Sequence, residues 1–147
     1  MSRETIKNDE LNEVGQIAKD SKSNVTNLNG GPIGQSELEK RKSLASSLIN
    51  RYEDRIPVIV EREADSKLPE LDKKKYLVPH NMTIGAFIIT IRRKINLENY
   101  QSLFIITKEH NYTPTSTMSM AEIYQKYHSE DKFLYFIYKS ENAFGHS

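Results

Sequence analysis

Residues 83–95 read TIGAFIITIRRKI, and this stretch restricts the fold more tightly than any other in the chain. Ile84, Phe87, Ile88, Ile91 and Ile95 recur at a 3.6-residue period and predict one buried stripe of a helix. Thr83 stands where its hydroxyl can cap the first turn. On both sides of this helix the pattern becomes β-branched and aromatic. Pro57 opens IPVIVER, which reads as a strand, and KYLVP (75–79) reads as a second, shorter one. SLFIIT (102–107) predicts a third strand. FLYFIYK (133–139) predicts the last, apolar enough to lie centrally in a sheet. Between these two, Ser119 and Glu122 form a capping box that opens the short helix MAEIYQKYH.

Upstream, Ser36 and Glu39 have the spacing of another capping box. The helix behind it carries Leu38, Ala45, Leu48, Ile49 and Tyr52 on one face and should end near Glu53. The charged stretch EADSKLPELDKKK makes the turn between the first two strands. With the first helix set aside, the order is ββαβαβ, that of the ubiquitin-like β-grasp. The sequence therefore predicts an α+β chain: a β-grasp with an N-terminal helical extension and a disordered N-terminal tail. In such a fold a mixed sheet wraps one long helix, and the first and last strands pair in parallel at its centre. VIVE and FLYFIY should then be neighbours.

The tail is residues 1–35, and the folded domain with its C-terminal segment is 36–147. The tail contains no Phe, Tyr or Trp and includes SKSNVTNLNGGPIGQ, punctuated by Gly30, Gly31, Pro32 and Gly34. Such a segment has too little apolar surface to offset its ordering entropy. Leu11, Val14 and Ala18 give a weak helical spacing within it, interrupted by Gly15.

Composition removes several classes of function. A net charge of +1 supplies no field that would draw the chain to nucleic acid. The absence of cysteine excludes disulfides, a thiol nucleophile and thiolate metal sites. It also excludes prenylation and palmitoylation, and Ser2 excludes the N-myristoyl pattern. No apolar run reaches the length of a membrane span, and the polar start MSRETIKNDE is unlike a signal peptide. His80, His110, His128 and His146 lack the spacing of a metal site. NGGPIG has neither the lysine nor the preceding strand of a phosphate loop, and no nucleophile elbow is present. An enzyme is not expected: no catalytic residue, metal or cofactor emerges. Two basic clusters remain, Lys73–Lys75 beside a strand and Arg92–Lys94 at a helix end, where cations also suit the helix dipole. Binding at the first depends on whether its strand is an edge. The end of the chain, SENAFGHS, leaves Gly145 either as a frayed glycine or as a point of cutting and joining.

EKRK (39–42), RIPVIVE twelve residues later, LPELDKKKYLVP and FLYFIYKSENAFG follow one another in this order. Together they resemble the autophagy-related ubiquitin-like modifiers, the GABARAP-like or autophagy-related protein 8 family. The resemblance runs from about Glu39 to Gly145, with a small insertion before MSMAEIYQ. It implies that a cysteine protease removes His146 and Ser147. Activating and conjugating enzymes would then join Gly145 to the amine of phosphatidylethanolamine. That lipid supplies two acyl chains, enough for stable attachment where one would be marginal. The implied places are the cytoplasm and the autophagosome membrane, with the vacuole or lysosome beyond them.

The resemblance also implies that motif-bearing cargo receptors bind by adding a strand to KYLVP, with two apolar pockets setting specificity. Positions matching the aromatic pocket are Leu48, Pro57, Ile59, Lys75, Leu77 and Phe133. Those matching the aliphatic pocket are Tyr76, Val78, Pro79, Met82, Phe87 and Thr90. Core packing competes with the pocket role for most of these; Leu77, Pro57 and Lys75 are the positions where the pocket is favoured. Lys73, Lys75 and Arg55 would attract the acids that precede such motifs. Three departures from the family stand out. Leu44 replaces a commonly acidic residue, Thr90 replaces an aliphatic one, and the aromatic-free tail replaces a short helix. The alternative function is a soluble, never-conjugated adaptor of the same fold in vesicle trafficking.

Overall fold

The computed structural model describes residues 35–140. The elements run α1 (Gln35–Arg51), β1 (Arg55–Arg62), β2 (Lys75–Pro79), α2 (Ile84–Lys94), β3 (Phe104–Thr107), α3 (Met120–Tyr127) and β4 (Leu134–Lys139). The strands form one sheet in the order β2-β1-β4-β3. β1 and β4 pair in parallel, from Val58 opposite Leu134 to Arg62 opposite Tyr138. This is the central pairing expected of VIVE and FLYFIY. β2 pairs antiparallel with β1, and β3 antiparallel with β4, so β2 and β3 are the two edges.

Alternation along the strands builds two apolar layers, because neighbouring side chains point to opposite sheet faces. Val58, Val60, Tyr76, Val78, Leu134 and Phe136 bury one face against Phe87 and Ile91 of α2, with Met120 and Ile123 of α3 in the same cluster. Phe87 and Phe136 meet with ring centroids 5.6 Å apart. Ile59, Leu77 and Phe133 bury the other face against Ala45 and Leu48 of α1. This second layer is far thinner. Its margin is formed by half-buried Leu44, Tyr52 and Tyr135.

Local signals explain the element ends. Thr83 caps α2, its Oγ1 accepting from the Ala86 N–H at 3.2 Å. Ser119 and Glu122 form the reciprocal capping box of α3. α1 already includes Gln35, so Ser36 lies inside the helix and the expected Ser36–Glu39 start is displaced. β4 starts at Leu134 rather than Phe133, because Lys132 takes a positive φ of 73° and the Phe133 N–H is held by Asp131 at 3.0 Å. β3 starts at Phe104 rather than Ser102, whose hydroxyl donates instead to the Ser140 carbonyl. The weak helix at 10–19, the rest of the tail to residue 34, and Gly145 with His146 lie outside the described residues. No described helix is long and apolar enough to cross a membrane.

Candidate peptide-binding site

Among the described residues β2 has a neighbouring strand on one side only, so its outer row of N–H and C=O groups is a template for another strand. The register sets Lys75 opposite Ile59, Leu77 opposite Pro57 and Pro79 opposite Arg55. Pro57 lacks an N–H, yet costs the sheet little. It precedes Val58, where pairing with β4 begins, so no hydrogen bond to that strand is lost.

The strand separates the two groups of residues expected to form pockets. Leu48, Ile59, Leu77 and Phe133 come together in the α1 layer, and Pro57 is buried there beside its partner Leu77. Tyr76, Val78, Met82 and Phe87 come together in the α2 layer. Thr90 lies half-buried on α2, its hydroxyl donating to the Ala86 carbonyl at 3.1 Å. Leu77 is 0% exposed and Phe133 1%, so both side chains lie covered in the α1 layer. Leu77 and Pro57 are packed rather than open, because the helix has a complementary face and lies directly on them. A ring seated there must displace α1 side chains. The accessible groups of the edge are the half-buried Arg55, Lys75 and Pro79 and the exposed Lys73. Arg55 pairs with Asp54 at 3.8 Å.

The loop before β2 is rigidly placed. The Arg62 guanidinium donates to the Leu68 carbonyl at 2.7 Å and meets Glu70 at 3.1 Å. Tyr138 Oη donates to the Pro69 carbonyl at 2.6 Å. Beyond them, Leu71, Asp72, Lys73, Tyr76 and Lys94 line a cleft of about 250 Å³ at the start of β2. Tyr76 Oη donates to the Lys73 carbonyl at 2.5 Å, and Lys94 Nζ stands 5.8 Å from the Tyr76 ring centroid. Burial, and then the Lys73 charge, lower the Lys94 pKa below the usual lysine value. Burial pushes the Tyr76 phenol well above the ordinary tyrosine range. Lys94 was visible in sequence only as part of a basic helix end. Its approach to Tyr76 follows from the register of α2 over β2.

A polar network missed in the sequence ties α1 to the sheet. Asp131 is only 4% exposed. Its carboxylate accepts from Tyr135 Oη at 2.5 Å and from the Phe133 N–H, and it lies 3.8 Å from the Arg41 guanidinium of α1. Burial, with the Asp131 hydrogen bond next, raises the Tyr135 pKa. No apolar period marks Asp131. Its one sequence cue is an acidic turn before an aromatic strand.

Among the described residues no group of three or more His, Asp or Glu side chains could hold a metal. His80, His110 and His128 are exposed. His128 donates its Nδ1–H to the Tyr124 carbonyl at 2.8 Å and stacks on the Tyr124 ring at 4.7 Å, which is a helix-end role.

The family model described as "Autophagy protein Atg8 ubiquitin like" matches residues 40–145. Autophagy-related protein 8d of Arabidopsis thaliana is 44% identical over 108 residues, 74% of this chain and 88% of that protein. Autophagy-related protein 8 of Pichia angusta is 43% identical over 108 residues, 74% of this chain and 85% of its own length. The crystal structure of Trypanosoma brucei ATG8 superposes with a TM-score of 0.65 at 35% identity, covering 76% of this chain and 97% of that one. These relatives are ubiquitin-like proteins of autophagy rather than enzymes. The central parallel pairing, the helix across the sheet and the matched length together place this chain in the Atg8 family of autophagy ubiquitin-like proteins.

Proposed function

We propose that the protein is a modifier joined through Gly145 to phosphatidylethanolamine on autophagosomal membranes, where it recruits cargo receptors. The observation that carries the recruiting role is the edge position of β2 in the sheet, set between two apolar layers, preceded by Lys73 and begun by Lys75. A receptor segment adds there as a strand, its main chain supplying affinity and alternate side chains entering the two layers. The aromatic anchor goes to Leu48, Ile59, Leu77 and Phe133, and the aliphatic anchor to Val78, Met82, Phe87 and Thr90. Support for the conjugating role is the family match, which extends to residue 145. A cysteine protease hydrolyses the bond before His146, and the activating and conjugating enzymes build the amide from the Gly145 carboxyl to the lipid amine. The protein itself provides no catalytic group and needs no cofactor.

The test is the intact mass of the membrane-bound protein. The expected mass lacks His146 and Ser147 and carries the phospholipid, and Gly145→Ala removes the membrane pool while leaving peptide binding intact. A Gly145→Ala protein that still became lipidated would refute the proposal. For the edge, a motif peptide with alternate main-chain nitrogens methylated loses binding, and Lys73→Glu slows association. Unchanged affinity of the methylated peptide removes strand addition.

A further inference from the structure

We infer that Tyr100 is an interfacial anchor that seats the loop between α2 and β3 in the headgroup layer of the membrane to which the chain is attached. This rests on the proposed attachment through Gly145. Tyr100 is 85% exposed, more than any other large apolar side chain among the described residues. A single exposed apolar residue is ordinary on a surface. Here the backbone on both sides of it is held. Arg92, in the last turn of α2, donates through one guanidinium nitrogen to the Gln101 carbonyl at 2.8 Å and through another to the Glu98 carbonyl at 2.9 Å. The Glu98 N–H donates to Gln101 Oε1 at 3.0 Å, and the Gln101 N–H to the Glu98 carbonyl at 3.0 Å. Asn96 enters the loop with a positive φ of 56°. The loop closes on itself around residues 98–101 and leaves the phenol outside. An aromatic ring presented on a fixed loop loses little conformational freedom when it meets a surface.

The position of that loop identifies the surface. Two residues beyond Tyr100, the Ser102 hydroxyl donates to the Ser140 carbonyl, and Phe104 pairs with Lys139. The end of β4 is therefore beside the loop. From Ser140 to Gly145 are five residues, a fully extended reach of about 17 Å. Tyr100 is within about 7 Å of Ser102 along the chain by the same measure. A lipid on Gly145 thus brings the bilayer within reach of this end of the sheet. At the opposite end stand Arg55, Pro79 and the exposed His80.

The chemistry of the side chain fits the headgroup layer. Tyrosine combines an apolar ring with a hydroxyl that stays hydrated, and such rings collect at the membrane–water boundary. Exposed Arg93, in the last turn of α2, suits anionic headgroups, while exposed Glu98 opposes them. With mixed charge around it, the ring rather than the charge carries the contact. Two acyl chains already hold the protein, so the effect of Tyr100 is on orientation.

The chain has neither cysteine nor tryptophan, and both absences serve the experiment. In the full chain, Gly145→Cys allows coupling to maleimide-bearing phosphatidylethanolamine in neutral phosphatidylcholine vesicles without any conjugating enzyme. Tyr100→Trp then places a lone indole in the loop, and His80→Trp in a second protein places one at the far end. The expected result after coupling is a blue-shifted emission at position 100, quenched by lipids brominated near the headgroup, with position 80 unchanged. An indole at position 100 that emits as in the uncoupled protein overturns the anchor and leaves the ring to a protein partner or to water. Equal quenching at both positions also overturns it, since the protein then has no preferred face. Because coupling is chemical, these outcomes do not depend on whether cells lipidate Gly145. That is read separately from the mass of the membrane-bound protein.

Discussion

The two faces of the sheet are built to different depths. The α2 face packs two helices and four strands around Phe87 and Phe136. The α1 face packs one helix on Ile59, Leu77 and Phe133, closed at its margin by half-buried side chains. Both are dry, with Leu77 and Phe87 each 0% exposed. The difference is how many neighbours must move to admit something new. A face covered by one helix can open by shifting that helix, whereas the other opens only by disrupting the whole core. This asymmetry assigns stability to the α2 side and adaptability to the α1 side, where the aromatic anchor of a peptide is proposed to enter.

Paired truncations break or sharpen that contrast. Phe87→Ala, in the middle of the thick layer, should cost about 3–5 kcal/mol and lower the unfolding midpoint of the whole domain. Leu48→Ala, on α1, should cost about 2 kcal/mol, near the lower limit for such truncations, because its cavity borders a movable margin. Denaturant unfolding gives the two costs, and hydrogen exchange separates their reach. Leu48→Ala should speed exchange in α1 amides while β1 and β4 stay protected. If exchange rose equally through the sheet, the two layers would be one cooperative unit and the contrast would be wrong.

The thick layer was the legible one. Ile84, Phe87 and Ile91 stand at helical spacing behind a capping threonine, and these residues are the buried face of α2. The β-branched runs gave the central strands, and their parallel pairing followed from the element order. The thin layer was harder to read for a physical reason. Its positions alternate with those of the thick layer along the same strands, so the sequence favours a pocket wall for Leu77 and core for Ile59, although both are buried in one cluster. Which they are depends on how closely α1 lies on them, and a helix period carries no information on that distance. Asp131 was illegible because its partners, Arg41 and Tyr135, meet it only after the chain has folded back.

Asp131 provides the next test, since it is the buried polar tie between α1 and the sheet. Asp131→Ala leaves the Tyr135 hydroxyl and the Phe133 N–H without their acceptor, at a cost of about 1–3 kcal/mol. The Arg41 contact adds little, because that guanidinium is half exposed. Unfolding of the variant and hydrogen exchange in α1 check the size and the place of the loss. Tyr135 also gives the contact a pH signature. Its folded pKa lies above the ordinary 10.0, so the neutral phenol is favoured in the folded state. That contribution is fully present below pH 10 and is lost as pH rises through the folded pKa. Tyr135→Phe should flatten the alkaline fall in stability. An unchanged slope would remove Tyr135 from the account.

The smallest expected effect falls on binding and concerns one residue of the thick layer. Thr90 donates its hydroxyl to the Ala86 carbonyl of its own helix. That carbonyl is also reached by the helix backbone ladder, so replacing the hydroxyl strands no buried acceptor. Thr90→Leu therefore adds apolar surface at a half-buried position without a polar penalty. Its expected effect is to tighten binding of a motif peptide by about 1 kcal/mol, a factor near five. The gain should vanish for a peptide whose aliphatic anchor is alanine, and it should persist when the aromatic anchor is exchanged between tryptophan and phenylalanine. Calorimetric titration of the six combinations of the two proteins with the three peptides gives the coupling directly. A gain that followed the aromatic anchor instead would mean that the peptide lies across β2 in the reverse sense, with its aromatic side chain on the α2 face.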